Sequence, residues 1–188
     1  MLHFDVMDGE FVPNFGISPP FIAAVRQITQ VAFDVHIMVT HPLRYIDALA
    51  AAGADIITFH IESADKPETV IAAIKAHGLK RGLALSPKTP ISTVIPYLSD
   101  IDLALPMSVE PGFGGQAFQH NALEKIAALH QIALTLKQPL EISVDGGVTT
   151  ETAPLATRQG ATILVAGTAI FSSEQPRAVI EKLRTTAA

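Results

Sequence analysis

Cysteine is missing from this chain of 188 residues. That excludes a disulfide framework and any thiolate metal site, so a bound metal would have to use histidine and carboxylate ligands. Charge is scarce as well: Asp, Glu, Lys and Arg make up 16% of the residues, below the usual quarter, so much of the chain must be buried. The 13 basic residues face 18 acidic ones, for a net charge of -5. Lys66, Lys75, Lys80 and Arg81 are scattered rather than striped, and nucleic acid is excluded as a partner because its phosphates need clustered Lys and Arg. No apolar run reaches the roughly 18 residues of a membrane span. The opening Met1-Leu2-His3-Phe4-Asp5 has none of the features of a signal peptide. No membrane partner and a cytoplasmic setting are therefore expected. With 48% hydrophobic residues and a length suited to one domain, residues 1–188 read as a single soluble globular unit.

What is present alternates regularly. Short runs rich in Val, Ile, Leu and Phe predict strands at Leu2–Met7, Phe33–Val39, Asp55–Ile61, Gly82–Leu85, Leu103–Ser108, Glu141–Val144 and Thr162–Ala166. Helical spacing predicts helices at Pro20–Ile28, Pro42–Ala52, Lys66–His77, Ile91–Leu98, Ala122–Lys137, Thr150–Gln159 and Pro176–Thr185. Gly53, Gly78, Asp100 and Gly160 close helices just before the next strand, where a left-handed residue costs glycine little. The class is α/β with parallel pairing and right-handed crossovers. A doubly wound sheet and a (β/α)8 barrel both remain open, and in either the chemistry sits at the C-terminal strand ends. Seven strand–helix units are legible, one short of a barrel.

Three successive strands each carry a histidine near their C-terminal ends: His3, His36 and His60. Because side chains alternate along a strand, His3, Asp5 and Met7 share one face while Phe4 and Val6 share the other. Phe4 and Val6 suit a layer of helices, which turns His3 and Asp5 inward, where ionisable groups need a partner or a metal. His36 and Met38 share a face in the same way. His60 is open between a hydrogen-bonded core histidine and a site residue. His41, His77, His120 and His130 fall on helices or loops and suit solvent. Asp145 follows an apolar strand and leads into Gly146-Gly147; it is either a turn residue or a carboxylate held over the strand ends. Together His3, Asp5, His36 and Asp145 would make a site of two imidazoles and two carboxylates for divalent zinc, iron, manganese or cobalt.

The segment Ser108–Gln116, with Gly112, Gly114 and Gly115, is too long for a tight turn, and its glycines let backbone approach a ligand. Gly146, Gly147, Gly167 and Thr168 follow the last two strands, the places where barrel enzymes hold phosphate. Met7, Met38 and Met107 each stand near a strand end; the ordinary use of methionine is to fill gaps in a core, but their shared position suggests a polarisable lining around one substrate.

Taken in order, His3-Phe4-Asp5-Val6-Met7-Asp8-Gly9, Asp34-Val35-His36-Ile37-Met38-Val39, Ala52-Gly53-Ala54-Asp55 through Thr58-Phe59-His60, Met107 through Gln116, Val144 through Val148 and Val165 through Phe171 resemble the ribulose-phosphate 3-epimerase family. The resemblance runs over essentially the whole chain. It implies a (β/α)8 barrel and an isomerase of carbohydrate metabolism, in the pentose phosphate pathway, that interconverts D-ribulose 5-phosphate and D-xylulose 5-phosphate. It also implies His3, Asp5, His36 and Asp145 as ligands of one divalent ion, with Asp5 and Asp145 as the acid/base pair. Met7, Met38 and Met107 match the thioethers at the reacting carbons. Gly146, Gly147, Gly167 and Thr168 match the phosphate cradle, where the family more often has serine at the Thr168 position. A homo-oligomer acting on a small sugar phosphate is the expected assembly.

The chemistry agrees with the residues. Epimerising a carbon beside a ketone takes one base on one face and one acid on the other, and two carboxylates flanking a metal supply both. An apolar, methionine-lined pocket is expected to push both carboxylate pKa values up. Two departures from the family pattern stand out. The family's strand bearing Pro-Ser and its helix precede the histidine that His3 matches, whereas here Met1 stands two residues before it; a first strand–helix unit is expected to be absent, which would bare strand edges. Pro106 replaces an apolar residue and is expected to bend or shorten its strand. A related phosphoketose 3-epimerase, for instance one using D-allulose 6-phosphate, and a non-catalytic truncated barrel that binds only phosphate or metal are the alternatives.

Overall fold

In the computed structural model, which describes residues 1–186, strands and helices follow one another as the periodicity predicts. The strands are β1 (Leu2–Met7), β2 (Phe33–Met38), β3 (Ile56–His60), β4 (Lys80–Leu85), β5 (Leu103–Pro106), β6 (Glu141–Asp145) and β7 (Ile163–Val165). Around them lie α1 (Pro19–Arg26), α2 (Ile46–Ala51), α3 (Pro67–Ala76), α4 (Asn121–Ala133), α5 (Ala153–Arg158), α6 (Thr168–Phe171) and α7 (Pro176–Thr186). All ladders are parallel and the strands stand in sequence order, β1 to β7. The sheet curls into an open barrel wall, and a doubly wound order is excluded because the sequence order never reverses.

Several predicted elements are shorter than their periodicity suggests. Two 3-10 turns, Ile91–Thr93 and Ile95–Tyr97, replace the helix expected over Ile91–Leu98; Pro96 lacks the N–H that a continuing α-helix would need. The helix expected from Pro42 starts as a 3-10 turn, and α2 begins only at Ile46. β5 stops at Pro106, and the following Met107 bridges to Asp145 instead. Helix stops are as expected at Gly53, Gly78 and Gly160, with φ of 95°, 72° and 102°.

Curling gives the sheet two unlike faces. Outward residues such as Phe4, Val6, Val35, Ile37, Phe59, Leu83 and Val144 pack with the helices in the main apolar core. Inward, the wall is divided: Ile56, Ala84, Leu103, Leu105 and Met107 form a second, smaller apolar cluster, while β1, β2 and β3 turn in His3, Asp34, His36, Thr58 and His60. The register sets His3 beside Asp34 and Asp5 beside His36, with His36 beside Thr58. Apolar filling on one side and polar groups on the other decide where ligand chemistry can occur.

Among the described residues no ladder joins β7 to β1. Part of the outer edge of β1 is nonetheless covered, because Ile17 N–H donates to the Asp5 carbonyl at 2.8 Å and Gly16 N–H to that of Met7 at 3.4 Å. That is a local answer to the hazard of a bare edge.

At the opposite end, Asp102 accepts the Arg81 backbone N–H at 2.8 Å and its guanidinium at 2.7 and 2.9 Å. Burial works to raise the Asp102 pKa, but these donors outweigh it and hold it below the usual carboxylate value. The pair's contribution is therefore present above the ordinary carboxylate pKa and is lost as pH falls through the lower folded value. Asp102→Asn is expected to cost about 1 kcal/mol or less at neutral pH, the range of a partly exposed pair. The gap from the parent protein should shrink in urea unfolding at pH 3, and a gap that persists there would contradict this account.

Candidate active site

His3 and Asp5 come from β1, His36 from β2 and Asp145 from the end of β6. One donor atom from each lies within 4.8 Å of all the others. His36 Nδ1 stands 3.1 Å from Asp5 Oδ1 and 3.8 Å from Asp145 Oδ2, and His3 Nε2 stands 3.4 and 4.0 Å from the same two atoms. The imidazoles lie deepest. His36 is fully buried, while the Asp5 and Asp145 side chains are 41% and 17% exposed and open toward the cavity.

Two observations suit this set to a divalent cation. The donors are two nitrogens and two carboxylate oxygens, a mixture taken by zinc, iron or manganese. His3 Nε2 is also buried without a hydrogen-bond partner, an arrangement that is costly unless something binds there. Its other nitrogen, Nδ1, is 2.8 Å from Asp34 Oδ2, and Thr58 Oγ1 donates to Asp34 Oδ1 at 3.1 Å. Gly82 on β4 makes room for that contact, since a Cβ there would overlap Thr58.

The electrostatics separate the two carboxylates. Burial acts to raise the pKa of Asp5, but the close approach and charge of His3 and His36 outweigh it and drive it below the carboxylate range. Burial also raises Asp145, from which both imidazoles stand farther; the charge of Asp5 reinforces the rise, and His3 and His36 only partly offset it. The expectation that the pocket lifts both carboxylates is thus corrected. Asp145 goes up and Asp5 goes down, because the imidazoles lie closer to Asp5. His3 itself is held well above its ordinary pKa, with burial opposed by Asp34 and Asp5.

Behind His36 lies His60, fully buried, with its Nε2 2.8 Å from His36 Nε2. Its Nδ1 is 3.0 Å from Glu62 Oε2. Burial brings the His60 pKa down to about 4. Glu62 falls to about 2: burial resists, but donors from His60 and Thr89 prevail.

Above the cluster opens a cavity of about 1020 Å³. Met7, Met38 and Met107 line it, as do Gly112, Gly114 and Gly115 of the long loop. So do Gly146, Gly147, Gly167 and Thr168, and every glycine, threonine and methionine singled out from the sequence as a site residue meets in one place. The loop is held by Asn14 Nδ2, which donates to the Gly112 carbonyl at 2.7 Å, and by Gln116 Nε2, which donates to the Glu110 carbonyl at 2.7 Å. Gly114 stands beside Thr168, with 3.6 Å from a Cβ position to its Oγ1. His36 forms the floor rather than the lining, and His60 lies outside the cavity.

The remaining histidines are elsewhere. His41 pairs with Asp65 and His77 with Asp47, while His130 packs under Gly160. Sequence reasoning missed Asp34, Thr58 and Glu62. A signal for all three was present: Asp34 is two residues before His36, Thr58 two before His60 and Glu62 two after it, so each shares a strand-face parity with a histidine.

Comparison with known proteins gives the family and the fold. Residues 1–171 match the sequence model of the ribulose-phosphate 3 epimerase family. A ribulose-phosphate 3-epimerase of Bacillus subtilis is 45% identical over 184 residues, covering 97% of this chain and 85% of the relative. A cytoplasmic isoform of the same enzyme from Oryza sativa is 45% identical over 188 residues, 97% of this chain and 80% of the relative. Among solved structures, a 3-hexulose-6-phosphate synthase from Salmonella typhimurium superposes with a TM-score of 0.71 at 16% identity, covering 90% of this chain and 79% of that one. A phosphoribosyl anthranilate isomerase from Thermococcus kodakaraensis superposes at 0.64 with 14% identity, covering 98% and 87%. The last two speak for the fold alone.

Proposed function

The chain belongs to the ribulose-phosphate 3-epimerase family, and from that premise we propose that it interconverts D-ribulose 5-phosphate and D-xylulose 5-phosphate with the help of one divalent metal ion. The observation that carries the metal is the convergence of His3, Asp5, His36 and Asp145, with a buried His3 Nε2 that lacks a hydrogen-bond partner among the described residues. Those four residues would hold the ion. When bound, it supplies Lewis-acid polarisation of the ketone and stabilises negative charge on its oxygen.

The chain's own residues do the rest. Inversion at C3 requires that a proton leave one face and another arrive on the opposite face. Asp5, held ionised, is suited to take the proton; Asp145, held toward its protonated form, is suited to give one. After one turnover their protonation states are exchanged, which suits them to the reverse reaction, and the substrate passes through a cis-enediolate. Met7, Met38 and Met107 keep water from the reacting carbons with polarisable apolar groups. Gly146, Gly147, Gly167 and Thr168 hold the phosphate through backbone N–H groups and the Thr168 hydroxyl. The work is that of one domain in a cytoplasmic setting, a reading supported by the name of the rice relative.

Removal of metal tests this directly. Dialysis against a chelator is expected to lower kcat by about 10³-fold or more, the worth of several kcal/mol of charge stabilisation, and stoichiometric zinc, iron, manganese or cobalt should restore it. The same assay run in heavy water should incorporate deuterium at C3. An undiminished rate in metal-free protein overturns the metal; conversion of D-allulose 6-phosphate in preference to the pentulose phosphates overturns the substrate.

A further inference from the structure

We propose that His60 and Glu62 are positioning residues, a relay that accepts the His36 Nε2 proton when His36 Nδ1 binds the metal beside Asp5 and Asp145. The inference rests on the metal reading above for its purpose, but its geometry stands apart from it. Glu62 offers only acceptors. Its Oε1 receives the Ser86 backbone N–H at 2.8 Å and the Thr89 hydroxyl, and its Oε2 lies 3.0 Å from His60 Nδ1. The proton between His60 and Glu62 therefore belongs to His60 Nδ1. A neutral His60 then has a lone pair at Nε2, 2.8 Å from His36 Nε2. Without the ion, the acceptor Asp5 Oδ1, 3.1 Å from His36 Nδ1, competes for the His36 ring proton. With Nδ1 given to the ion, that proton belongs on Nε2, and His60 accepts it.

The relay is built to hold still. His36 and His60 are both fully buried, their rings meet end to end with planes 28° apart and centroids at 5.0 Å, and the Phe11 ring packs against His60 at 5.0 Å. The loop that reaches Glu62 is itself tied to α4, because Lys125 Nζ donates to the carbonyls of Ser86 at 2.9 Å, Pro87 at 2.7 Å and Thr89 at 2.6 Å. His3 is oriented in the opposite sense, with Asp34 on Nδ1 and Nε2 left toward the cluster. Each imidazole thus has a carboxylate behind it, one directly and one through a second imidazole. Partners of this kind typically change metal affinity by about 10- to 100-fold.

The test uses the full chain and two measurements beside activity. Ring 15N shifts of His60 in the zinc-loaded protein report which nitrogen carries its proton, expected to be Nδ1, and competition with a chromophoric chelator gives the zinc Kd. His60→Phe, which removes the acceptor, is expected to weaken zinc binding by about 10- to 100-fold. His60→Gln, whose carboxamide oxygen can accept from Nε2, should restore most of the affinity. Glu62→Gln lies nearer the surface and tests the same direction should His60→Phe not fold; its zinc Kd should rise by a smaller factor. A zinc Kd unchanged in Glu62→Gln and in whichever His60 variant folds, or a His60 proton found on Nε2 in the loaded parent, overturns the proposal. A parent protein that takes up neither zinc nor iron, manganese or cobalt overturns the metal reading instead.

Discussion

Asp145→Asn is expected to lower kcat by about 10³-fold or more while leaving the fold intact, since positioned acid/base groups contribute about 10²- to 10⁴-fold and an anionic ligand is lost as well. The fold should survive because the structural duties of Asp145 are carried by its backbone. Its carbonyl accepts from Ser108 N–H at 2.9 Å and from the Ser108 hydroxyl at 2.7 Å, and the amide side chain leaves both in place. Circular dichroism should be unchanged. Exchange of the C3 hydrogen in heavy water sharpens the test. With Asp5 still able to remove a proton, the variant should exchange that hydrogen in one epimer without converting it to the other, and Asp5→Asn should do so in the opposite epimer. Near-normal turnover in Asp145→Asn would sink the two-carboxylate mechanism. Metal content measured beside each rate separates loss of the acid from loss of the ion.

Gly147→Ala is expected to be the most destabilising small change near the cavity, at about 3 kcal/mol, the sum of a left-handed alanine and overpacking. Gly147 has φ of 61°, and a Cβ there would overlap the backbone nitrogen of Phe118 and lie 2.9 Å from the Gln116 carbonyl oxygen. Neither neighbour is a side chain that could swing aside. The Gly147 carbonyl is also pinned by the Thr152 hydroxyl at 2.9 Å, so the peptide cannot rotate away from the clash. A loss of that size lowers Tm by roughly 6–12 °C in a chain of this length. Gly115→Ala is the comparison: φ is 75°, but no atom lies within 4 Å of the added carbon, so only the backbone term of about 1 kcal/mol should appear. Equal Tm changes in the two variants would show that contact with Phe118 is not what forbids a side chain. In Gly147→Ala the KM for the sugar phosphate should also rise, because the same turn lines the cavity.

Much of this site was legible in the residues before any fold was known, and the reason is that strand parity is local. The period of two puts His3 with Asp5, and His36 with Met38, whatever lies next to them. The same rule sends Phe4 and Val6 to the helices, where both are buried. Glycine helix stops are likewise local, and Gly53, Gly78 and Gly160 behave as expected. Element lengths were less legible. Helical periodicity persists through Ile91–Leu98, but Pro96 inside that stretch breaks the hydrogen-bond ladder that periodicity takes for granted.

By itself, then, the sequence determined the alternation of elements, the two faces of each strand, the identity of the four candidate ligands and the absence of any thiolate alternative. Those properties depend on residues a few positions apart. Tertiary structure alone decided that the strands stand in sequence order, that Asp34 backs His3 and His60 backs His36, and that His36 turns Nδ1 rather than Nε2 toward the carboxylates. It also decided which carboxylate is the stronger acid. Asp5 and Asp145 lie on strands far apart in the chain, and their pKa values part because the imidazoles stand closer to Asp5. Distances of 3.1 and 3.4 Å between side chains set those energies, and no spacing along the chain encodes them.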